Sequence, residues 1–257
     1  MYGFLFRPKW LLFHAVVVAG IVAMVFAGFW QLQRLDERKA FNERVVERSQ
    51  SEPVDLRSVL ARIDDGSLTQ DAAEWLPVVI QGTYLPDQVL EFNNSQGGRA
   101  GDNVLTAMVT DDGDTVVVNR GFVPLGIDVP AAPEVEVEGL GYVRLTEVRD
   151  RGGMTDADDG EPLTEIRRID LPRLAEQFPG EVAPVYVQLI AAEPEIVAGD
   201  PEPVVLPELS NGPHLSYAIQ WFVFAFAVVV GWVLAVKRSL ATRLKAAAAE
   251  RTVEDHR

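Results

Sequence analysis

Residues 10–30 read WLLFHAVVVAGIVAMVFAGFW, twenty-one residues with one polar interruption at His14. As an α-helix this run is roughly 31 Å long at ~1.5 Å per residue, close to the ~30 Å apolar core of a bilayer. Residues 215–236, LSYAIQWFVFAFAVVVGWVLAV, form a second run of twenty-two residues with no charge, polarised in its first turns by Ser216, Tyr217 and Gln220. Tryptophan stands at both ends of the first run, and Trp232 near the end of the second, as amphipathic interface anchors do. A cleaved signal peptide would use Arg7 and Lys9 as its basic start and Val25-Phe26-Ala27 as its cleavage site. The apolar stretch is longer than the ~7–15 residues such a segment carries, so a retained helix is expected.

The flanks suggest an orientation. Arg34, Arg38, Lys39, Arg44 and Arg48 follow the first run, whereas only Arg7 and Lys9 precede it. Taken alone, this helix votes for the opposite orientation. No Lys or Arg lies between Pro194 and Pro213, while Lys237, Arg238, Arg243, Lys245, Arg251 and Arg257 follow the second run. The balance favours both tails in the cytoplasm. The expected layout is a cytoplasmic tail over 1–9, membrane helices over 10–32 and 214–236, an extracytoplasmic domain over 33–213 and a second cytoplasmic tail over 237–257.

Small residues recur every fourth position in the first helix, at Ala15, Ala19, Ala23 and Ala27, with Gly20 and Gly28 beside them. Ala227 and Gly231 repeat the spacing in the second. Small side chains let helix backbones approach in lipid, so these stripes predict packing of the two helices together or of one against a partner subunit.

The middle of the chain has a different composition. Residues 33–213 carry 15 basic against 35 acidic side chains, which leaves no basic footprint for nucleic acid. Residues 33–50 are charged and strongly helix-forming, so the first helix is expected to run on beyond the membrane. Asp55 to Ile63 reads as a short amphipathic helix ended by Asp64-Asp65-Gly66. From Trp75 onward come β-branched runs bounded by turn residues, giving candidate strands over 76–84, 89–93, 104–110, 115–122, 135–148 and 185–192. Asp111-Asp112-Gly113-Asp114 marks a tight hairpin, and Leu171–Phe178 a short helix. The predicted fold class is a membrane protein whose two transmembrane helices flank a mainly antiparallel β domain of α+β type, a sheet or open barrel. Arg151–Pro162, rich in Gly and Asp, reads as a solvated loop. Its acids lack the alternating spacing of a calcium loop. The tail after Lys237 is Ala-rich, helical or frayed.

Catalytic constellations are scarce. The chain has no cysteine, which excludes disulfides, thiolate nucleophiles and Cys-ligated clusters. Residues 33–213 hold no histidine, so a Ser/His/Asp set is impossible there, and a metal site would have only carboxylates. Gly97-Gly98-Arg99-Ala100-Gly101 lacks the Lys and Ser/Thr of a phosphate loop. Neither a hydrolase nor an oxidoreductase is expected.

Three segments carry a resemblance. Gly28-Phe29-Trp30-Gln31-Leu32-Gln33-Arg34-Leu35-Asp36-Glu37-Arg38-Lys39 resembles the G-x-W-Q-x-x-R-x-x-x-K element of the SURF1 family. Val116-Val117-Val118-Asn119-Arg120-Gly121-Phe122-Val123-Pro124 is similar to its V-x-V-N-R-G-W-V-P strand and turn, with Phe122 in place of Trp. His214-Leu215-Ser216-Tyr217-Ala218-Ile219-Gln220-Trp221-Phe222 resembles its H-x-x-Y-A-x-Q-W-F. Asn103-Val104-Leu105-Thr106-Ala107 departs from a usual H-V-x-T-P. The long acidic insert and tail suit a divergent, actinobacterial-type member.

The resemblance implies an assembly factor for haem-copper cytochrome c oxidase, a non-enzymatic membrane protein that binds haem a and assists its delivery to the catalytic subunit. His214 is then the candidate ligand to the haem iron. It sits at a helix start after Asn211-Gly212-Pro213, where a cap and first-turn proline are expected and where the helix N-terminus disfavours imidazolium. An ordinary interfacial histidine is the alternative. Arg34 and Arg38, four apart on one face, suit haem propionates or lipid phosphates alike. Tyr217, Gln220, Trp221 and Phe224 share a stripe that either lines an apolar haem cleft or faces the first helix. His14, ~25 Å along the axis from Gln31, is too far to share an iron with His214 and reads as a hydrogen-bond donor in helix packing. The competing role is an accessory subunit held permanently in a respiratory oxidase or supercomplex. A membrane sensor fits less well, with nine residues before the first helix and 21 after the second.

Overall fold

The computed structural model describes residues 3–147, 162–193 and 199–254. In chain order, a 3-10 turn at Gly3–Phe6 precedes α1 (Pro8–Ser49), β1 (Val54–Asp55), α2 (Leu56–Asp64), α3 (Gln70–Ala73) and β2 (Pro77–Gln96). There follow β3 (Arg99–Thr110), β4 (Thr115–Pro124), β5 (Glu136–Leu145), β6 (Glu165–Ile166), α4 (Leu171–Leu174), β7 (Val185–Glu193) and α5 (His214–Glu254). They form two compact units, one of Met1–Glu43 with Leu209–Arg257 and one of Arg44–Glu208.

The helical unit follows from the two apolar runs. Pro8 takes the first position of α1, where its missing N–H costs no hydrogen bond. Both helices are long and apolar enough to cross a bilayer, and nearly all of each apolar window is exposed, which fits a membrane protein. The charged stretch after residue 32 continues α1 without a break, and the tail after Lys237 continues α5.

The β unit is a sheet closed on itself. β2 pairs antiparallel with β3 and, through Pro77–Thr83, with β5. The order β2–β3–β4–β7–β5 therefore returns to β2. β4 and β7 form a parallel pair within this otherwise antiparallel ring. The runs predicted over 76–84 and 89–93 are halves of one strand. Pro86 lacks a ladder donor, and the register shifts between Tyr84 and Gln88 without ending the strand. β5 is shorter than predicted, ending at Leu145. The loop over 151–162 lies outside the described residues except for its last residue.

Residues on alternate faces of the strands build two cores. Val116, Val118, Val185, Val187 and Leu189 join Leu56, Val59 and Leu60 of α2 in one. Val117, Tyr186, Leu105 and Ala107 join Leu171 and Leu174 of α4 in the other. β4 is consequently buried from Thr115 to Val123. The hairpin at 111–114 forms as predicted, with Gly113 at φ 91° and the Thr110 N–H donating 2.9 Å to the Asp114 carbonyl.

Candidate functional site at the ends of the helix pair

The two membrane helices pack along a seam of alternating three- and four-residue steps. On α1 its positions are His14, Val17, Ile21, Met24, Gly28 and Gln31, none of them fully exposed. On α5 they are His214, Ala218, Trp221, Ala225, Val228 and Trp232. Gly28 receives the Phe222 ring so closely that an added Cβ would lie 2.7 Å from it. Of the small residues predicted to form this contact, Gly28 lies in the seam and Gly20 and Ala27 are half-buried, whereas Ala15, Ala19, Ala23, Ala227 and Gly231 are exposed. Four residues turn a helix by about 400°, so a strict every-fourth pattern drifts off a straight seam, whereas alternating steps hold it.

Each end of the seam is closed by one histidine. At the first, His214 Nδ1 lies 2.8 Å from the Gln31 Oε1. An amide oxygen only accepts, so Nδ1 donates in this pair, and in the neutral form of the ring Nε2 keeps its lone pair. Gly212, at φ 64°, borders this ring: a Cβ there would come within 3.3 Å of Cδ2 and 3.4 Å of Nε2. Glycine leaves that edge of the imidazole uncrowded. Pro213 caps α5, its carbonyl accepting from the Tyr217 N–H at 3.1 Å, and so stands just before the helix instead of in its first turn. Asn42 donates to the Asn211 side chain at 3.1 Å and fixes the segment leading into the helix.

At the other end, the Trp232 indole N–H donates to His14 Nδ1 at 2.9 Å. His14 is thus an acceptor, not the donor expected, because its partner is an indole that can only donate. In its neutral form its proton sits on Nε2. The two histidines hold opposite tautomers, and only His214 presents a free Nε2 lone pair.

The remaining predicted residues divide. Arg34 is exposed, pairs with Glu37 at 2.8 Å and lies 5.6 Å over the Trp30 ring. Arg38 is exposed too. Tyr217 and Phe224 are 48% and 45% exposed and Gln220 is exposed, so these three point away from α1. Trp221 is half-buried, edge-on to Phe224 at 6.2 Å. Gln31 was legible only as part of a motif. The signal that singles it out is its place at the last turn of the first apolar run, paired with the first turn of the second.

The β-unit motif has a structural use. Asn119 and Gly121 face Leu105 and Val104, which leaves Arg120 as the extra residue of a bulge. Its buried guanidinium donates to the carbonyls of Pro130 and Ala131 at 3.3 and 3.2 Å. Gly121, at φ 138°, meets the Glu202 carbonyl where a Cβ would sit, and Phe122 exchanges two backbone hydrogen bonds with Glu202. A second buried polar group, Glu91, accepts from the Asn103 amide at 2.8 Å. Burial raises its carboxyl to about 7 against this hydrogen bond.

A profile of the SURF1 family matches residues 18–226. An uncharacterised SURF1-like protein of Mycobacterium tuberculosis is 30% identical over 234 residues, covering 89% of this chain and 84% of the relative. A SURF1-like protein of Rickettsia bellii is 26% identical over 240 residues, covering 88% and 91%. Surfeit locus protein 1 of Takifugu rubripes is 31% identical over 144 residues, 48% of this chain and 57% of the relative.

Proposed function

Because the chain belongs to the SURF1 family, we propose that it is an assembly factor for haem-copper cytochrome c oxidase, assisting delivery of haem a to the catalytic subunit. It works from the cell membrane, with both tails cytoplasmic and the β unit outside, an orientation supported by the basic tail after α5. The observation that carries the reading is the Gln31–His214 hydrogen bond, which joins two family-like motifs at one end of the helix pair. Its polarity leaves Nε2 of His214 able to ligate iron, and the donor set is what a haem requires: one imidazole, exposed aromatics and two cationic side chains. His214 would hold the iron, with Tyr217, Gln220 and Trp221 beside the ring and Arg34 and Arg38 toward the propionates. When bound, the haem supplies the redox chemistry of its eventual oxidase site. This chain binds, orients and releases it. Gln31 holds the tautomer and ring angle, a supporting bond whose loss costs about 10–100-fold in metal affinity in other proteins.

Protein purified from cells that make haem a should carry haem that His214→Ala loses at least tenfold and His14→Ala keeps, with helix content unchanged in both. Equal retention by the two variants would refute ligation by His214. On deletion of the gene, haem a per oxidase catalytic subunit should fall. Full occupancy in a complex that dissociates more readily in detergent would instead identify an accessory subunit.

A further inference from the structure

The end of the helical unit that bears both termini contains a groove of about 310 Å³ lined by Lys9, Trp10, Phe13 and Ala235. We infer that it seats one anionic phospholipid, with an acyl chain against Trp10, Phe13 and Ala235 and the phosphate at Lys9.

The walls are built before any ligand arrives. Trp10 stacks edge-on with Phe13 at 5.5 Å and with Phe4 at 5.3 Å. Phe4 is 6% exposed, folded back by the 3-10 turn and covered by the Arg243 guanidinium 4.4 Å above its ring. His14, 5.6 Å from Trp10, is itself fixed by Trp232. These side chains have few rotamers left to lose on binding. Water is a poor occupant, since it needs two to four polar partners and the lining is almost wholly apolar.

Charge selects the occupant. Residues 1–35 and 214–249 contain no Asp or Glu, while Arg7, Lys9, Lys237 and Arg238 sit at this end of the two apolar runs. These cations have no acidic neighbour in sequence to neutralise them. Lys9 and Trp10 open the first run and Ala235 lies in the last turn of the second, which places the groove at headgroup depth. There a basic pocket between helices meets lipid phosphates. A neutral lipid would fill the groove without answering the charge.

Native mass spectrometry of the full chain tests this, with phosphatidylglycerol or phosphatidylcholine of identical acyl chains added to the detergent-solubilised protein. One phosphatidylglycerol should stay bound, preferred about fivefold or more per cation engaged. Lys9→Gln should erase most of that preference, while Lys245→Gln, ten residues beyond Ala235, should leave it. Phe13→Ala should weaken both lipids alike. Equal retention of the two lipids would overturn the inference, as would equal loss in the two lysine variants, which would mean diffuse attraction to a basic tail.

Discussion

The helical and β units use polar side chains in opposite ways. Between α1 and α5, side-chain hydrogen bonds along the seam lie at its two ends, His14 with Trp232 and Gln31 with His214. The stretch between is apolar or small. In the β unit, Glu91, Asn103, Thr106, Asn119, Arg120 and Gln188 are buried inside the sheet itself. Polarity in the helix pair is therefore disposable for insertion, because an apolar helix inserts without it. Polarity in the β unit is part of the fold: Glu91 is answered by Asn103, Asn119 by the Gly121 N–H, Arg120 by the Pro130 and Ala131 carbonyls and Gln188 by the Val204 carbonyl, while the buried Thr106 hydroxyl has no partner among the described residues. The family-like motifs split along the same line. Those at residues 28–39 and 214–222 meet at an imidazole, and that at residues 116–124 makes a bulge.

The largest expected effect lies at that bulge. Gly121 combines a left-handed φ of 138° with a Glu202 carbonyl in the space a Cβ would take. The obstructing atom is backbone and cannot swing aside. Gly121→Ala should destabilise the β unit by more than about 4 kcal/mol, from steric strain and loss of the Phe122–Glu202 pairing together. Far-UV circular dichroism of the full chain in detergent should show the sheet signal lost and the helical signal retained. A folded β unit of normal stability would mean that the motif is not a structural device.

A smaller effect should come from Glu91. Its folded-state value, about 7, lies above the ordinary 4.5 because burial outweighs the Asn103 hydrogen bond. Glu147, itself raised by burial, pushes in the same direction, and Arg144 opposes it. The folded state thus binds the proton more tightly than the unfolded chain. The contribution of Glu91 to stability is full below about pH 4.5 and is lost as pH rises through 7, by on the order of 3 kcal/mol. Glu91→Gln should flatten the decline in melting temperature between pH 5.5 and 8 and raise it at pH 8. An unchanged slope would assign the decline to other carboxylates.

Much of this contrast was legible in the sequence, but unevenly. The membrane runs, α2 with its Asp55 cap, the 111–114 hairpin and most strands follow from local pattern, which neighbouring residues alone determine. Closure of the sheet through β2 and β5 was not, because it pairs residues about 60 apart and leaves no local mark. The two-residue strands β1 and β6 are bridges set by the neighbouring β2 and have no period of their own. His214, Arg34 and Trp221 stood out as residue types at a membrane edge. That Tyr217 and Gln220 face away from α1, and that the two histidines hold opposite tautomers, depends on which helix face meets which. A single sequence does not encode that except through the seam's alternating steps.

The smallest effect tests that seam directly. At Gly28 an added Cβ would lie 2.7 Å from the Phe222 ring, whereas at Gly20 and Gly231 it would meet nothing within 4 Å. Replacing glycine by alanine inside a helix is favourable by up to about 1 kcal/mol when nothing obstructs it. Gly20→Ala and Gly231→Ala should therefore hold or raise the SDS concentration needed to unfold the helix pair. Gly28→Ala gains the same propensity but must displace a ring edge-on to Phe29 at 5.4 Å, an overpacking cost of about 1–3 kcal/mol. The two terms partly offset, so the net loss should be about 0–2 kcal/mol. The difference between Gly28→Ala and the mean of the two controls isolates the contact. Phe222→Ala in the Gly28→Ala background removes the ring that obstructs, so the Gly28→Ala penalty should vanish there. If all three glycines behave alike, α1 and α5 meet along some other face, and the pairing of Gln31 with His214 loses its support.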